Sequence, residues 1–235
     1  MLLDIIKEGI TAASLIELGL YIIIILISLS VHELAHGYVA YRCGDATARN
    51  MGRLTLNPLA HLDPIGTIMM LVFGFGYARP VPVNPRNFNH FKRDTCFVSF
   101  AGPVSNLLMA LIGGILYRLA FVLMFMFKVG HSVPMNYLMF FLINFMYANI
   151  SLFIFNLLPI PPLDGSRIVS TLLPGKWAFY YLKYERYIML AVLILLWQGA
   201  FDGILSFLAG HVFDGLMWLI DLIFTPVLNM IVKGM

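Results

Sequence analysis

Leu20-Tyr21-Ile22-Ile23-Ile24-Ile25-Leu26-Ile27 leads, within one apolar run, to His32-Glu33-Leu34-Ala35-His36. An α-helix turns once in about 3.6 residues, so His32 and His36 leave one face a turn apart and can share a metal ion. Glu33 is rotated by about 100° from His32, near enough to take a proton from a water held there without being a ligand. That arrangement suits zinc-assisted hydrolysis. The setting sharpens the reading, because the residues upstream belong in hydrocarbon, where a charged side chain costs at least about 2.5 kcal/mol at mid-bilayer. Three ionisable groups in so short a stretch need a purpose there.

Composition agrees. The 235 residues are 60% apolar and 11% charged, against about a quarter charged in soluble domains. This is an integral membrane protein, and its apolar runs leave connections too short for a separate folded module. One domain over 1–235 is expected, with a catalytic core at about 14–168 and a closing helix pair at about 187–232. The formal charge of +3 does not mark a nucleic-acid binder, because Lys and Arg lie in the connections, where they orient a membrane protein. Cys43 and Cys96 sit beside the face read below as cytosolic, so no disulfide is expected. No small-residue cleavage site follows the first apolar run, which therefore does not read as a signal peptide.

Residues 14–41 form a first span, stopped by Gly44 and Asp45. If Glu17 marks its outer boundary, His32 falls about 22 Å further in, which puts the metal in the inner leaflet. His61 and Asp63 in the following loop read as ordinary interfacial residues. The stretch 65–77 has three glycines and falls short of the roughly 20 residues a spanning helix needs, so a re-entrant element is expected. Prolines 80, 82 and 85 force 78–85 into extended geometry. Such an edge can pair with a substrate strand by β-addition; a rigid interfacial linker is the other reading.

A third segment, 96–117 and onward to 127, carries Ala101-Gly102-Pro103-Val104-Ser105-Asn106 near its inner end. Asn106 is polar at active-site depth, where it either donates to a reacting carbonyl or joins two helices. A fourth, 137–158, ends in Asn156-Leu157-Leu158-Pro159-Ile160-Pro161-Pro162-Leu163-Asp164-Gly165. The prolines and the Asp-Gly turn leave the Asp164 carboxylate near the inner boundary. Two histidines, a distant carboxylate and one open position make a catalytic zinc set, so Asp164 is expected as third ligand.

Two final runs, 187–209 and 211–232, read as a hairpin in which Asp202, Asp214 and Asp221 face loops or the bundle. With 65–77 re-entrant, every Lys and Arg except Lys7, Arg118 and Lys128 falls on one side, which the positive-inside rule makes cytosolic. The expected fold is an all-α membrane helix bundle of about five spans plus one re-entrant element, with a short cytosolic-side β edge. Its N-terminus would lie outside and its C-terminus inside.

HELAH at 32–36, AGPVSN at 101–106 and NLLPIPPLDG at 156–165 together resemble the site-2 protease family of intramembrane metalloproteases, peptidase family M50. The resemblance covers about residues 21–168. GRLTLNP at 52–58 and the proline-rich 79–85 resemble its compact branch, without an inserted PDZ or CBS domain. It implies one zinc ion per chain on His32, His36 and Asp164, with Glu33 as general base and Asn156 positioning substrate or stabilising the oxyanion. The implied substrates are transmembrane proteins, cut in a cell membrane at a site open to the cytosol. Lipid cannot replace a helix's own hydrogen bonds, so the substrate must unwind locally. Outer connections such as 128–136 are too short for a sensor, so external regulation would need a membrane partner. Two rival readings are a zinc transporter, which would want polar residues on both sides of the midplane, and a silent relative, against which an intact Glu33 argues.

Overall fold

The structure is a computed structural model that describes residues 9, 11–64, 66, 69, 78–127 and 132–234. The re-entrant reading of 65–77 rests on residues outside that set.

Helix α1 spans Ala12–Arg42. Thr11 opens it with a reciprocal cap, its Oγ1 accepting from the Ser14 N–H while Ser14 Oγ accepts from the Thr11 N–H, so two otherwise orphaned donors are satisfied. Gly44 closes it with φ +107°, where a side chain would also stand 2.9 Å from the Asn87 carbonyl oxygen. After the loop come α2 (Phe91–Met126), α3 (Val133–Leu157), α4 (Asp164–Leu172), α5 (Gly175–Lys183), α6 (Glu185–Trp197) and α7 (Asp202–Gly234). Four of these, α1, α2, α3 and α7, are long and apolar enough to cross a membrane.

Side-chain contacts fix their directions. Tyr21 and Ser28 of α1 meet Asn144 and Asn149 of α3 in the same order, so these two helices run the same way. On α2, Val98 lies beside His36 and Asn106 beside His32, so α2 runs against them. On α7, Leu208 and Val212 line a groove with Leu157 and Leu158, Phe213 stacks on Tyr147, and Asp221 pairs with Arg118. The far end of α7 therefore stands at the same end of the bundle as Ala12. Ala110, Met146, Ile150, Ile154 and Leu216 form the buried core between α2, α3 and α7. Gly114 permits the close approach there, since a Cβ would stand 2.6 Å from Ile220; small residues at helix contacts do this in lipid.

Two expectations need correction. The closing pair of spans is one span: α6 has 13 residues, about 20 Å at 1.5 Å per residue, too short for a roughly 30 Å core. The apolar run breaks at Gly199, whose φ is +74°, and the chain turns there before α7 begins. Among the described residues four candidate spans replace five, and the far end of α7 moves to the opposite side of the bundle from Arg42. The β edge is absent: among the described residues there is no strand. Residues 78–84 carry no ladder bonds to another strand. Arg79 N–H donates to the His61 carbonyl, Val81 N–H to Glu33 and Asn84 N–H to Asp45, so three of their donors are spent on loop and side-chain partners.

Candidate metal centre

The long apolar helix α1 holds His32 and His36 on its inward face, where both are buried. The chain leaves α3 at Leu157, turns through the prolines, and restarts as α4 at Asp164. That turn requires Gly165, since a Cβ there would press into the carbonyl oxygens of Leu157 and Leu158. Asp164, in the first turn of α4, is thereby aimed at α1. A helix N-terminus favours the charged carboxylate.

The three side chains converge. His32 Nε2 lies 3.0 Å from His36 Nε2, and Asp164 Oδ2 lies 3.2 and 3.1 Å from the two nitrogens. Among the described residues they form the one group of three or more His, Cys, Asp or Glu able to share a metal ion.

The hydrogen atoms can be assigned by following the polar chain behind His32. The Phe145 carbonyl can only accept, so the Asn149 atom 2.9 Å away is the amide nitrogen, which also donates to Ser28 Oγ at 2.9 Å. Asn149 Oδ1 therefore accepts from Asn106 Nδ2 at 2.9 Å, and Asn106 Oδ1 faces His32 Nδ1 at 2.6 Å. An amide oxygen has no proton to give, so His32 Nδ1 carries the hydrogen. His36 Nδ1 stands 2.6 Å from the Val98 carbonyl oxygen and must likewise donate. With Nδ1 carrying the hydrogen, the neutral form of each ring turns its Nε2 lone pair toward the other and toward Asp164.

Three electron-pair donors so close repel one another unless a cation lies among them. Ligand atoms at about 2.0–2.1 Å around tetrahedral zinc stand about 3.3–3.4 Å apart, near the observed spacings, so these residues fit the ion. Gly102 completes the cradle. A Cβ there would lie 2.6 Å from His32 Nε2 and 2.5 Å from His32 Cε1, so only a bare backbone lets α2 pass beside both rings.

Glu33, the residue after His32, reaches the extended segment. Its Oε2 accepts the Val81 N–H at 2.8 Å. Gly37, one turn further on, lets this segment lie against α1, since a Cβ would meet Leu54 at 2.6 Å and Val81 at 2.9 Å. Of the sequence candidates, His32, His36 and Asp164 come together, and Asn106 stands behind His32 with its oxygen and one amide hydrogen engaged. Asn156 is half-buried and donates its Nδ2 to the Leu152 carbonyl at 3.0 Å. His61 is buried and donates from Nε2 to the Thr55 carbonyl at 2.8 Å. Ser28 and Asn149 were not anticipated. Ser28 sits one turn before His32, and Asn149 two turns before Asn156, each a polar residue inside an apolar run, which was the available signal.

The family model for peptidase family M50 matches residues 20–198. The chain belongs to peptidase family M50. Among curated proteins, this M50 chain is 42% identical to "Putative zinc metalloprotease YwhC" of Bacillus subtilis over 207 residues, covering 88% of the chain and 93% of that protein. It is 31% identical over 163 residues to "Putative zinc metalloprotease Rip2" of Mycolicibacterium smegmatis, covering 66% of the chain and 59% of that protein. The Mycobacterium tuberculosis protein of that name is 29% identical over 165 residues, 67% of the chain and 60% of its own length. No solved structure matches.

Proposed function

We propose that His32, His36 and Asp164 hold one zinc ion and that Glu33 is the general base of an endopeptidase whose site opens toward the cytosol. Membership in family M50 makes the chain a zinc metalloprotease, and its four apolar helices make it a membrane protein. One observation carries the reading: three potential ligand atoms within 3.2 Å of one another, with both Nδ1 atoms committed elsewhere. A zinc ion bound there supplies Lewis acidity, activating water near neutral pH and polarising a peptide carbonyl.

The chain's own residues do the rest. Glu33 takes a proton from the attacking water and returns it to the leaving amine, base becoming acid. The Val81 N–H that donates to Glu33 Oε2 places residues 78–84 at the mouth of the site. Asn106 acts through His32 as a positioning residue. Asn156 can release the Leu152 carbonyl and offer its amide N–H to substrate.

Arg42, Arg49, Arg53, Arg79, Arg86, Lys92 and Arg93 lie near the Arg42 end of the bundle or in its connections. The positive-inside rule makes that end cytosolic, in a cell membrane. With the four spans found among the described residues, the Ala12 end of α1 and the far end of α7 then lie on the outer side. We treat 1–235 as one domain acting on transmembrane proteins whose helix unwinds near the site. The test compares membrane-peptide termini in cells expressing the wild type and Glu33→Gln at equal levels. New termini inside transmembrane segments, present with wild type alone, are expected; identical termini with zinc retained by both proteins would overturn the reading.

A further inference from the structure

Helix α7 buries one face and leaves an unusual one outside. Leu205, Ala209, Val212, Leu216 and Ile220 face the bundle. At about 100° per residue, the opposite face carries His211, Asp214, Trp218, Asp221, Thr225 and Asn229, spaced three and four apart along one seam. All but Asp221 are exposed, Trp218 to 62%. Asp221 is answered within the chain by Arg118. Asp214 makes no hydrogen bond or ion pair among the described residues, although it lies one residue from Phe213, which stacks on Tyr147 of α3. That contact fixes its depth: α3 places Tyr147 between Asn144, level with Tyr21, and Asn149, level with Ser28. An unanswered carboxylate near mid-bundle faces hydrocarbon.

Ionisable residues in spanning helices almost always face other protein or water. Heptad-spaced polar side chains on one helix are the pattern by which helices associate. Along the outer half of this face Trp218, Asp221, Leu222, Thr225, Pro226 and Asn229 line a shallow, open depression.

We propose that this face of α7 binds a transmembrane helix of another membrane protein that carries a lysine or arginine at the depth of Asp214. Charge decides the occupant. A second copy inserts in the same orientation, so a two-fold contact along the seam would set Asp214 against Asp214, like charges in a medium of low dielectric. A basic side chain gives the carboxylate the partner that Arg118 already gives Asp221. The hydroxyl of Thr225 and amide of Asn229 offer further hydrogen bonds along the same seam.

The test uses the full chain, donor-labelled and reconstituted in phosphatidylcholine–phosphatidylglycerol vesicles. The probes are acceptor-labelled polyleucine spanning peptides, all-leucine or with one lysine at the centre or a turn to either side. One lysine peptide should associate about tenfold more strongly than the all-leucine peptide, a difference of one hydrogen-bonded charge pair. Asp214→Leu should bring it down to the all-leucine level, and Asp214→Glu should preserve it. Equal zinc content in all three proteins verifies that they fold. Association independent of the lysine, or unchanged in Asp214→Leu, overturns the proposal. Energy transfer between donor- and acceptor-labelled copies that disappears in Asp214→Leu also overturns it, by assigning the face to a second copy.

Discussion

Gly102→Ala probes the cradle with a single methyl group. The new Cβ would stand 2.6 Å from His32 Nε2, and closer still to His36 Nε2. Non-bonded carbon and nitrogen settle at about 3.5 Å, so each ring would have to withdraw by about 1 Å. Neither is free to do so. His32 is held by a 2.6 Å hydrogen bond to Asn106 and His36 by one of 2.6 Å to the Val98 carbonyl, and both partners lie on the same helix as Gly102. A zinc site tolerates displacements of about 0.2 Å. Disturbing an outer partner of one ligand already costs about 10- to 100-fold in metal affinity, and here two ligands are displaced directly. A loss of at least about 100-fold is expected, with about 1–3 kcal/mol of overpacking on the fold. The assay is a zinc titration of the purified variant in detergent against a chromophoric chelator, with circular dichroism to verify helix content. A folded Gly102→Ala protein that binds zinc as tightly as wild type would refute the assignment of the site.

Asn106→Leu removes the acceptor for His32 Nδ1 and should weaken zinc binding roughly 10- to 100-fold; Asn149→Leu, one bond further back, should weaken it less, both in the same titration. Gly165→Ala drives a methyl into the carbonyls that close α3 and should cost about 1–3 kcal/mol, measured as a lower unfolding midpoint together with partial loss of zinc. Asp45 gives a pH dependence: burial raises its carboxyl, but hydrogen bonds from Thr47, the Asn84 N–H and Asn87 outweigh this and hold it below the usual carboxylate range. Its folded pKa is thus below the unfolded one, so the stability it adds is present above the unfolded value and lost as pH falls through the folded one. Hydrogen-exchange protection of the Asn84 amide should therefore fall at acid pH, and Asp45→Asn should remove that pH dependence.

How much of this was legible in the sequence differs from residue to residue. His32, His36 and Glu33 could be read because helix periodicity is local, and Asp164 because the proline run before it dictates where α3 must stop. The Ser28–Asn149–Asn106 chain could not. Its members lie as far apart as 121 positions, and nothing local says which buried amides meet. The prolines at 80, 82 and 85 did announce extended backbone, yet whether an extended segment forms a ladder depends on partners elsewhere, here Glu33, Asp45 and His61. At the C-terminus, Gln198-Gly199 and Asp202-Gly203 interrupt the run 187–209, and the positive φ of Gly199 makes that interruption the turn that separates a short helix from a span. The pairing of Arg118 with Asp221 was hidden for the same reason as the amide chain.

The central claim is that zinc on His32, His36 and Asp164, with Glu33 as base, cuts peptide bonds in the membrane. It is tested most directly by measuring zinc per chain and cleavage of a reconstituted transmembrane substrate in the same vesicles for wild type, Asp164→Ala and Glu33→Gln. The account predicts bound zinc with no cleavage for Glu33→Gln, and loss of both for Asp164→Ala. Cleavage by Glu33→Gln at the wild-type rate, or full zinc occupancy in Asp164→Ala, would contradict it.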